Sequence, residues 1–157
     1  MNLSLILFDD IDIVEPLKKH LSEKLNLDVY VSSSEYPVCR KRGEQLDARD
    51  FLPKIAELKE ELALGLVDKD LFVPELNFVF GLASEAERTA IVSLARLHSS
   101  NRKLFIDRTI KECVHELGHL FGFGHCQDIR CVMHFSNCLE DTDIKGKDFC
   151  DRCNKII

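Results

Sequence analysis

The sequence lacks the features of a disordered, repetitive or membrane-spanning chain. Its 157 residues include only 7 glycines and 4 prolines, too few for a low-complexity or collagen-like protein. No apolar run approaches the roughly 20 residues that cross a bilayer. Positive charge is not in excess, since the net charge is −6, which argues against nucleic acid or an anionic membrane surface as a partner. A hydrophobic content of 45% instead predicts a globular protein with a core of its own.

The N-terminal segment lacks the basic start and the small-residue cleavage site of a secretory signal. Residues 3–8 are apolar and are followed directly by Asp9 and Asp10, so a buried strand is predicted there. We therefore expect a cytoplasmic protein, in a compartment where disulfides are rare. The seven cysteines are an odd number and cannot all pair, so we expect them to bind metal or to pack. We also expect a monomer in which residues 1–157 form a single domain.

Hydrophobic periodicity predicts a mixture of strands and helices in residues 1–121, and hence an α/β (α+β) fold. Continuous or alternating apolar runs predict strands, and apolar residues at three- and four-residue steps predict amphipathic helices. Asp12 and Asp47 are expected to cap the first two helices, and the segment 33–46 is predicted to be a surface loop. The predicted strands are 3–8, 28–32, 64–68, 76–82 and 88–95, and the predicted helices are 12–25, 48–63 and 103–121.

The last predicted helix carries histidines at the spacing of a metal site. The pattern H-E-x-x-H-x-x-G-x-x-H runs from His115 to His125. Four residues advance a helix by about 400°, so His115 and His119 share one face and can reach one ion. Gly122 is expected to end the helix in the left-handed conformation and so to bring His125 back as a third ligand. Three histidines leave the fourth position of a tetrahedral zinc to water, as in catalytic sites.

Glu116 is the candidate general base. It lies about 100° round the helix from His115, beside the predicted metal rather than on it. A carboxylate in that place can accept the proton of the zinc-bound water and pass it to a leaving amine. Because zinc lowers the pKa of its water to about 7, a base of this kind can generate hydroxide at neutral pH.

The C-terminal subdomain, residues 122–157, has little apolar area, and four of its cysteines have the spacing of a second zinc site. Cys126 and Cys131 follow the third histidine, and Cys150 and Cys153 form a C-x₂-C pair. Four thiolates would close a structural site that folds this tail. A disulfide such as Cys126–Cys131 is the competing interpretation, and Cys138 could substitute as a ligand. The other cysteines and histidines are expected to be structural or solvated: Cys39, Cys113, His20, His98 and His134.

The combined pattern H-E-x-x-H-x-x-G-x-x-H-C-x₄-C-x-M, followed by C-x-x-C, resembles the archaemetzincin family, a branch of the metzincin clan of zinc metallopeptidases. By motif, the resemblance gives the three histidines the catalytic zinc, the four tail cysteines a structural zinc, and Met133 the methionine turn of the clan. One departure is that 16 residues separate Met133 from Cys150, one fewer than the family pattern. The resemblance covers about residues 65–153, including the segments 68–74, 77–81 and 92–97.

The resemblance implies a compact metzincin-like fold. Its expected parts are a twisted mixed sheet with an edge strand over the cleft, backing helices, an active-site helix and an irregular zinc-stapled tail. The edge strand is expected near residues 77–82, where a peptide could add by main-chain hydrogen bonds. Two zinc ions per chain and a peptide or protein substrate are implied. Some metzincins place a tyrosine just after the methionine turn, where Phe135 stands here, so the alternative is a catalytically silent two-zinc peptide-binding or regulatory module.

Overall fold

The computed structural model describes residues 1–155, which form two β-sheets and five α-helices. Within this range, no helix is both long and apolar enough to cross a membrane. A single 3₁₀ turn, Ala48–Asp50, precedes the second helix. The elements in chain order are β1 (Asn2–Leu7), α1 (Val14–Leu25), β2 (Asp28–Ser33), β3 (Lys41–Arg42), β4 (Gln45–Asp47), α2 (Phe51–Leu58), β5 (Leu62–Val67), β6 (Leu71–Phe72), β7 (Gly81–Ser84), β8 (Thr89–Ser93), α3 (Arg102–Leu120), α4 (Leu139–Ile144) and α5 (Asp151–Asn154).

The larger sheet has five strands in the order β2-β1-β5-β8-β7. The first four strands run parallel, and β7 pairs antiparallel with β8 at the edge. Every residue of β5 and of β8 is buried, as expected for parallel strands that are covered on both faces. The mixed sheet, with β7 as a half-buried edge strand, therefore agrees with the expected α/β fold.

Helices cover both faces of this sheet and divide the core into layers. On one face, α1 and α3 pack against alternate residues of the central strands, such as Leu3, Leu64 and Val92. On the other face, α2 packs through Phe51 and Ile55. Period-two alternation along each strand sends successive side chains to the two layers. The long helix α3 is thereby held along the sheet with its C-terminal half beside β7.

The predicted helix 48–63 is too long at both ends. Residues 48–50 form the 3₁₀ turn, and the helix ends at Leu58 because Lys59 adopts an extended conformation. Leu62 already pairs with Leu3 in the sheet, so pairing with β1 and β8 overrides the local helical pattern. Asp47 does accept a hydrogen bond from the backbone N–H of Arg49 and caps the turn.

Three other predictions are also wrong: a loop, the start of a strand and a helix cap. The segment 33–46 contains β3 and begins β4, which join β6 in a three-stranded sheet. The predicted strand 76–82 becomes a strand only at Gly81, because Arg42 donates to the backbone carbonyls of Leu76 and Asn77 and holds the preceding segment as a loop. Asp12 does not cap α1; its carboxylate accepts a hydrogen bond from Arg102.

Candidate active site

The three histidines of the motif converge in the structure. His115 and His119 lie one turn apart on α3, and His125 follows the end of this helix. One potential ligand atom from each side chain lies within 4.8 Å of the others. The ring centroids are 4.8 to 5.3 Å apart. The arrangement expected from the spacing is therefore present.

The reversal that returns His125 is formed at Gly122, which has the predicted positive φ, +97°. The N–H of Phe123 donates to the carbonyl of Gly118 at 2.9 Å, and the N–H of Gly122 donates to that of His119 at 3.1 Å. These two hydrogen bonds make a Schellman motif, which requires a left-handed residue after the helix. Gly122 thus ends α3 and reverses the chain, which allows His125 to approach His115 and His119.

Backbone carbonyls orient two of the three imidazoles. Nδ1 of His115 donates to the carbonyl of Val132, and Nδ1 of His119 donates to that of Phe123, each at 2.8 Å. Because a carbonyl only accepts, each ring carries its proton on Nδ1 and has its Nε2 lone pair free for a metal. Burial lowers the pKa of His115 to about 2, and burial also lowers the pKa of His125. Neutral nitrogen donors fit a zinc ion.

Glu116 lies beside this cluster with an unpartnered carboxylate oxygen. It is 6% exposed, and within residues 1–155 its Oε2 has no hydrogen-bond partner. Burial, with the negative charge of Glu112 as a smaller cause, raises the pKa of Glu116 to about 8. A buried unpaired carboxylate oxygen in a native site is unusual and indicates a group that receives a proton or a ligand.

The cleft in front of Glu116 is formed by the edge strand and a preceding loop. Its volume is about 350 Å³. A Cβ on Gly81 would lie 2.9 Å from Glu116 Cγ, so the β7 backbone packs directly against the carboxylate side chain. The free edge of β7 is available to an extended peptide. The apolar part of the lining comes from Val73, Leu76, Val79, Leu82, Ala83, Phe123 and Phe135.

Met133 lies fully buried under the active-site helix. A Cβ at Gly118 would overlap the Met133 sulfur, so the helix and the methionine are in close contact there. Met133 lies in a tight turn in which the N–H of His134 donates to the carbonyl of Cys131 at 2.9 Å. Phe135 contacts the His125 ring, with centroids 5.0 Å apart, and a phenylalanine offers no hydrogen-bond donor.

The four tail cysteines also converge, with their sulfur atoms within 4.8 Å of one another. All four are free thiols, so the alternative disulfide between Cys126 and Cys131 is not formed. The Sγ–Sγ distances are 3.7 Å for Cys126–Cys150 and 3.8 Å for Cys131–Cys153. A tetrahedral zinc with bonds of about 2.3 Å sets sulfur atoms about 3.8 Å apart. The donor set and its spacing therefore fit a closed zinc site.

The remaining cysteines and histidines lie outside both clusters. Cys138 is exposed, Cys39 is half-buried and Cys113 is buried in the core. His98 pairs with Asp68 at 2.9 Å. Within residues 1–155, the two clusters above are the groups of three or more potential ligands close enough to hold a metal.

Sequence reasoning missed the glycines that allow the close contacts and a buried ion pair near the site. Gly118 gave one signal, because an isolated glycine inside a helix usually has a packing reason. Gly81 gave no local signal, since its contact with Glu116 spans 35 positions in the chain. The ion pair joins Glu112 to Lys145; these residues are 33 positions apart and share no motif.

An α/β fold with an edge-strand cleft, three converging histidines and a buried glutamate defines a metallopeptidase-type protein. The family model described as peptidase family M54 matches residues 7–157. The chain therefore belongs to peptidase family M54, the archaemetzincins, and is a zinc metallopeptidase of the hydrolase class. The resemblance noted in the sequence is confirmed.

Similar proteins agree with this assignment. The archaemetzincin of Methanopyrus kandleri is 41% identical over 169 aligned residues, which cover 100% of this chain and 95% of that protein. A crystal structure of archaemetzincin from that organism has a TM-score of 0.92 at 40% identity and covers 99% of this chain and 92% of that one. The Archaeoglobus fulgidus archaemetzincin, complexed with malonate, has a TM-score of 0.90 at 31% identity and full coverage of both chains.

Proposed function

We propose that this chain hydrolyses peptide bonds with Glu116 as the general base at a zinc held by His115, His119 and His125. The observation that carries the proposal is the unpartnered, buried Oε2 of Glu116 beside three converging imidazoles, two of which have a free Nε2. When bound, zinc supplies Lewis-acid polarisation and lowers the pKa of water to about 7. The peptidase family of the chain agrees with this chemistry.

Substrate binding, proton transfer and orientation of the imidazoles are the roles of the chain's own residues. An extended peptide pairs with the free edge of β7, which sets its backbone across the front of Glu116. Glu116 accepts a proton from the attacking water and returns it to the leaving amine. The carbonyls of Val132 and Phe123 hold two imidazoles in a fixed orientation.

The four cysteines would hold a second, structural zinc, giving two ions per chain. The sulfur spacing supports this assignment, and so does the small apolar area of the segment they join. A site with four protein ligands has no open position, so its contribution is to folding. Peptides or proteins are the substrates that a peptidase of this family implies; a cytoplasmic, monomeric state stays a prediction.

The alternative of a catalytically silent two-zinc module is not favoured. Membership of a peptidase family argues against it, and three histidines alone would suffice to hold metal without a buried glutamate beside them. Phe135 in place of a hydrogen-bond donor reduces transition-state stabilisation, since one such donor is worth about 10²- to 10³-fold in rate. We therefore propose a slow or selective peptidase.

The proposal is tested by offering the zinc-loaded protein an unbiased peptide library and identifying products by mass spectrometry. The matched control is Glu116→Gln, which preserves the shape of the side chain and removes its basicity. We expect cleavage products from the wild type and a loss of at least about 10²-fold in the variant. Equal product formation by both proteins would contradict a base role for Glu116, and silence of both would contradict the peptidase proposal.

A further inference from the structure

A fully buried ion pair lies one helical turn before Glu116. Lys145, directly after α4, is buried, and its Nζ lies 3.2 Å from Oε1 of Glu112 on α3. The hydroxyl of Thr142 donates to the same carboxylate oxygen at 2.9 Å. A buried pair of this kind is weak evidence for added stability, because the loss of hydration can exceed the attraction between the charges.

The Lys145 ammonium also contacts the tight turn that contains Met133, residues 131–134. Its Nζ donates to the carbonyl of His134 at 3.0 Å. His134 in turn donates through Nδ1 to the carbonyl of Cys126 at 2.9 Å. The N–H of Cys126 donates to the carbonyl of Met133 at 2.9 Å. Since Cys126 directly follows His125, these contacts connect the ammonium to the backbone that carries the third histidine.

The same turn also orients a histidine of the helix. The carbonyl of Val132 accepts the Nδ1 proton of His115. One short segment, residues 131–134, therefore determines the orientation of His115 and the place of His125. The pair of Lys145 and Glu112 joins this segment to α3, the helix that carries His115 and His119.

We propose that Lys145, held in place by Glu112, is a positioning residue that fixes His125 relative to the two helical histidines. Partners that orient metal ligands from outside the coordination sphere commonly change metal affinity by about 10- to 100-fold. The inference rests on the proposed function, because it assumes that the three histidines bind a metal.

The test measures cobalt affinity at each site separately. Cobalt bound by thiolates absorbs strongly through charge transfer, whereas cobalt bound by imidazoles has weak visible bands, so one titration reports both clusters. We expect Lys145→Met to weaken the histidine site about tenfold or more and to leave the thiolate site at its wild-type affinity. A wild-type affinity of the histidine site in Lys145→Met would overturn the inference.

Lys111→Met is the matched control for loss of helix docking. The Lys111 ammonium donates to the carbonyls of Thr142 and Asp143, so it holds α4 on α3 as Lys145 does but does not donate to His134. We expect this variant to lower thermal stability and to keep the wild-type cobalt affinity of the histidines. Equal losses of affinity in Lys111→Met and Lys145→Met would show that docking of α4 alone matters and would overturn the inference.

The double variant Glu112→Gln/Lys145→Met separates positioning from stability and serves if the single variant does not fold. Lys145→Met alone leaves the buried Glu112 carboxylate without a cation. Because Glu112→Gln removes that charge, the free energy of unfolding of the double variant is expected to exceed that of Lys145→Met. The His134 carbonyl still lacks its donor, so the histidine site is expected to stay weak. Recovery of wild-type affinity in the double variant would overturn the inference, whereas a wild type that takes no cobalt at the histidines would contradict the proposed function itself.

Discussion

At the scale of single residues, the site depends on two glycines that allow close contact. A Cβ on Gly81 would lie 2.8 Å from the backbone oxygen of Ile91 and 2.9 Å from Glu116 Cγ. The Ile91 oxygen is backbone and cannot rotate away, so a substitution must shift β7 relative to β8, and the same Cβ would press on Glu116. The contact therefore couples the edge of the cleft to Glu116, the proposed general base.

We expect Gly81→Ala to lower kcat by about 10- to 100-fold, because small displacements of a reacting group have effects of this size. Steady-state cleavage of a peptide found in the library screen measures it. Gly124→Ala is the control, since a Cβ there meets no atom within 4 Å. A kcat for Gly81→Ala equal to that of the control would show that the contact does not position Glu116.

We expect Gly118→Ala to destabilise the protein by about 1–3 kcal/mol, since the new methyl group would overlap the Met133 sulfur and overpack the core. Helix propensity alone predicts the opposite sign, a gain of about 1 kcal/mol. Urea unfolding measures the difference in the free energy of unfolding. A stabilised Gly118→Ala variant would mean that Met133 does not pack against the helix as described.

At the scale of elements, sequence periodicity located α3 well, because its apolar face and its glycine end are local signals. It located α2 and β7 poorly, because their limits depend on distant partners. Leu62 leaves the helical pattern to pair with Leu3, and the residues before Gly81 are held as a loop by Arg42. Such contacts between distant parts of the chain have no periodic signature in the sequence.

Since the four cysteines are proposed to hold a structural zinc, we expect Cys153→Ser to remove this zinc and loosen residues 126–155. Metal binding and folding are coupled in segments that lack a core. Hydrogen exchange followed by mass spectrometry should show that the tail exchanges faster in Cys153→Ser than in the wild type, whereas exchange in the sheet is unchanged. Cys138→Ser is the control, because Cys138 is exposed and lies outside the cluster. The same exchange in both variants would contradict a structural role for the second zinc.

At the scale of the whole molecule, the fold holds the two clusters in adjoining parts of one chain, since Cys126 directly follows His125. The motif spacing predicted every member of both clusters. It could not predict the ion pair of Glu112 and Lys145, because neither residue belongs to a spacing pattern and the contact forms only when α4 packs on α3. Long-range packing thus supports a site that local sequence specifies.

We expect His119→Ala to lower the zinc content from two ions to one per chain while the far-ultraviolet circular dichroism spectrum is retained. Two imidazoles bind zinc less tightly than three, and the three histidines lie outside the strands of the sheet, so the sheet is expected to form without this ion. Metal analysis by mass spectrometry of the intact protein measures the stoichiometry. His98→Ala, which affects a surface pair with Asp68, should keep both ions. Two ions in His119→Ala would exclude His119 as a ligand.

Anomalous X-ray diffraction at the zinc absorption edge, from crystals of the zinc-loaded protein, tests the central claim most directly. We expect two peaks per chain, one among the four cysteine sulfurs and one about 2.0–2.1 Å from Nε2 of His115, His119 and His125. A solvent molecule should complete the second site, within reach of Glu116. No peak among the histidines, or a fourth protein side chain in place of the solvent, would contradict the account.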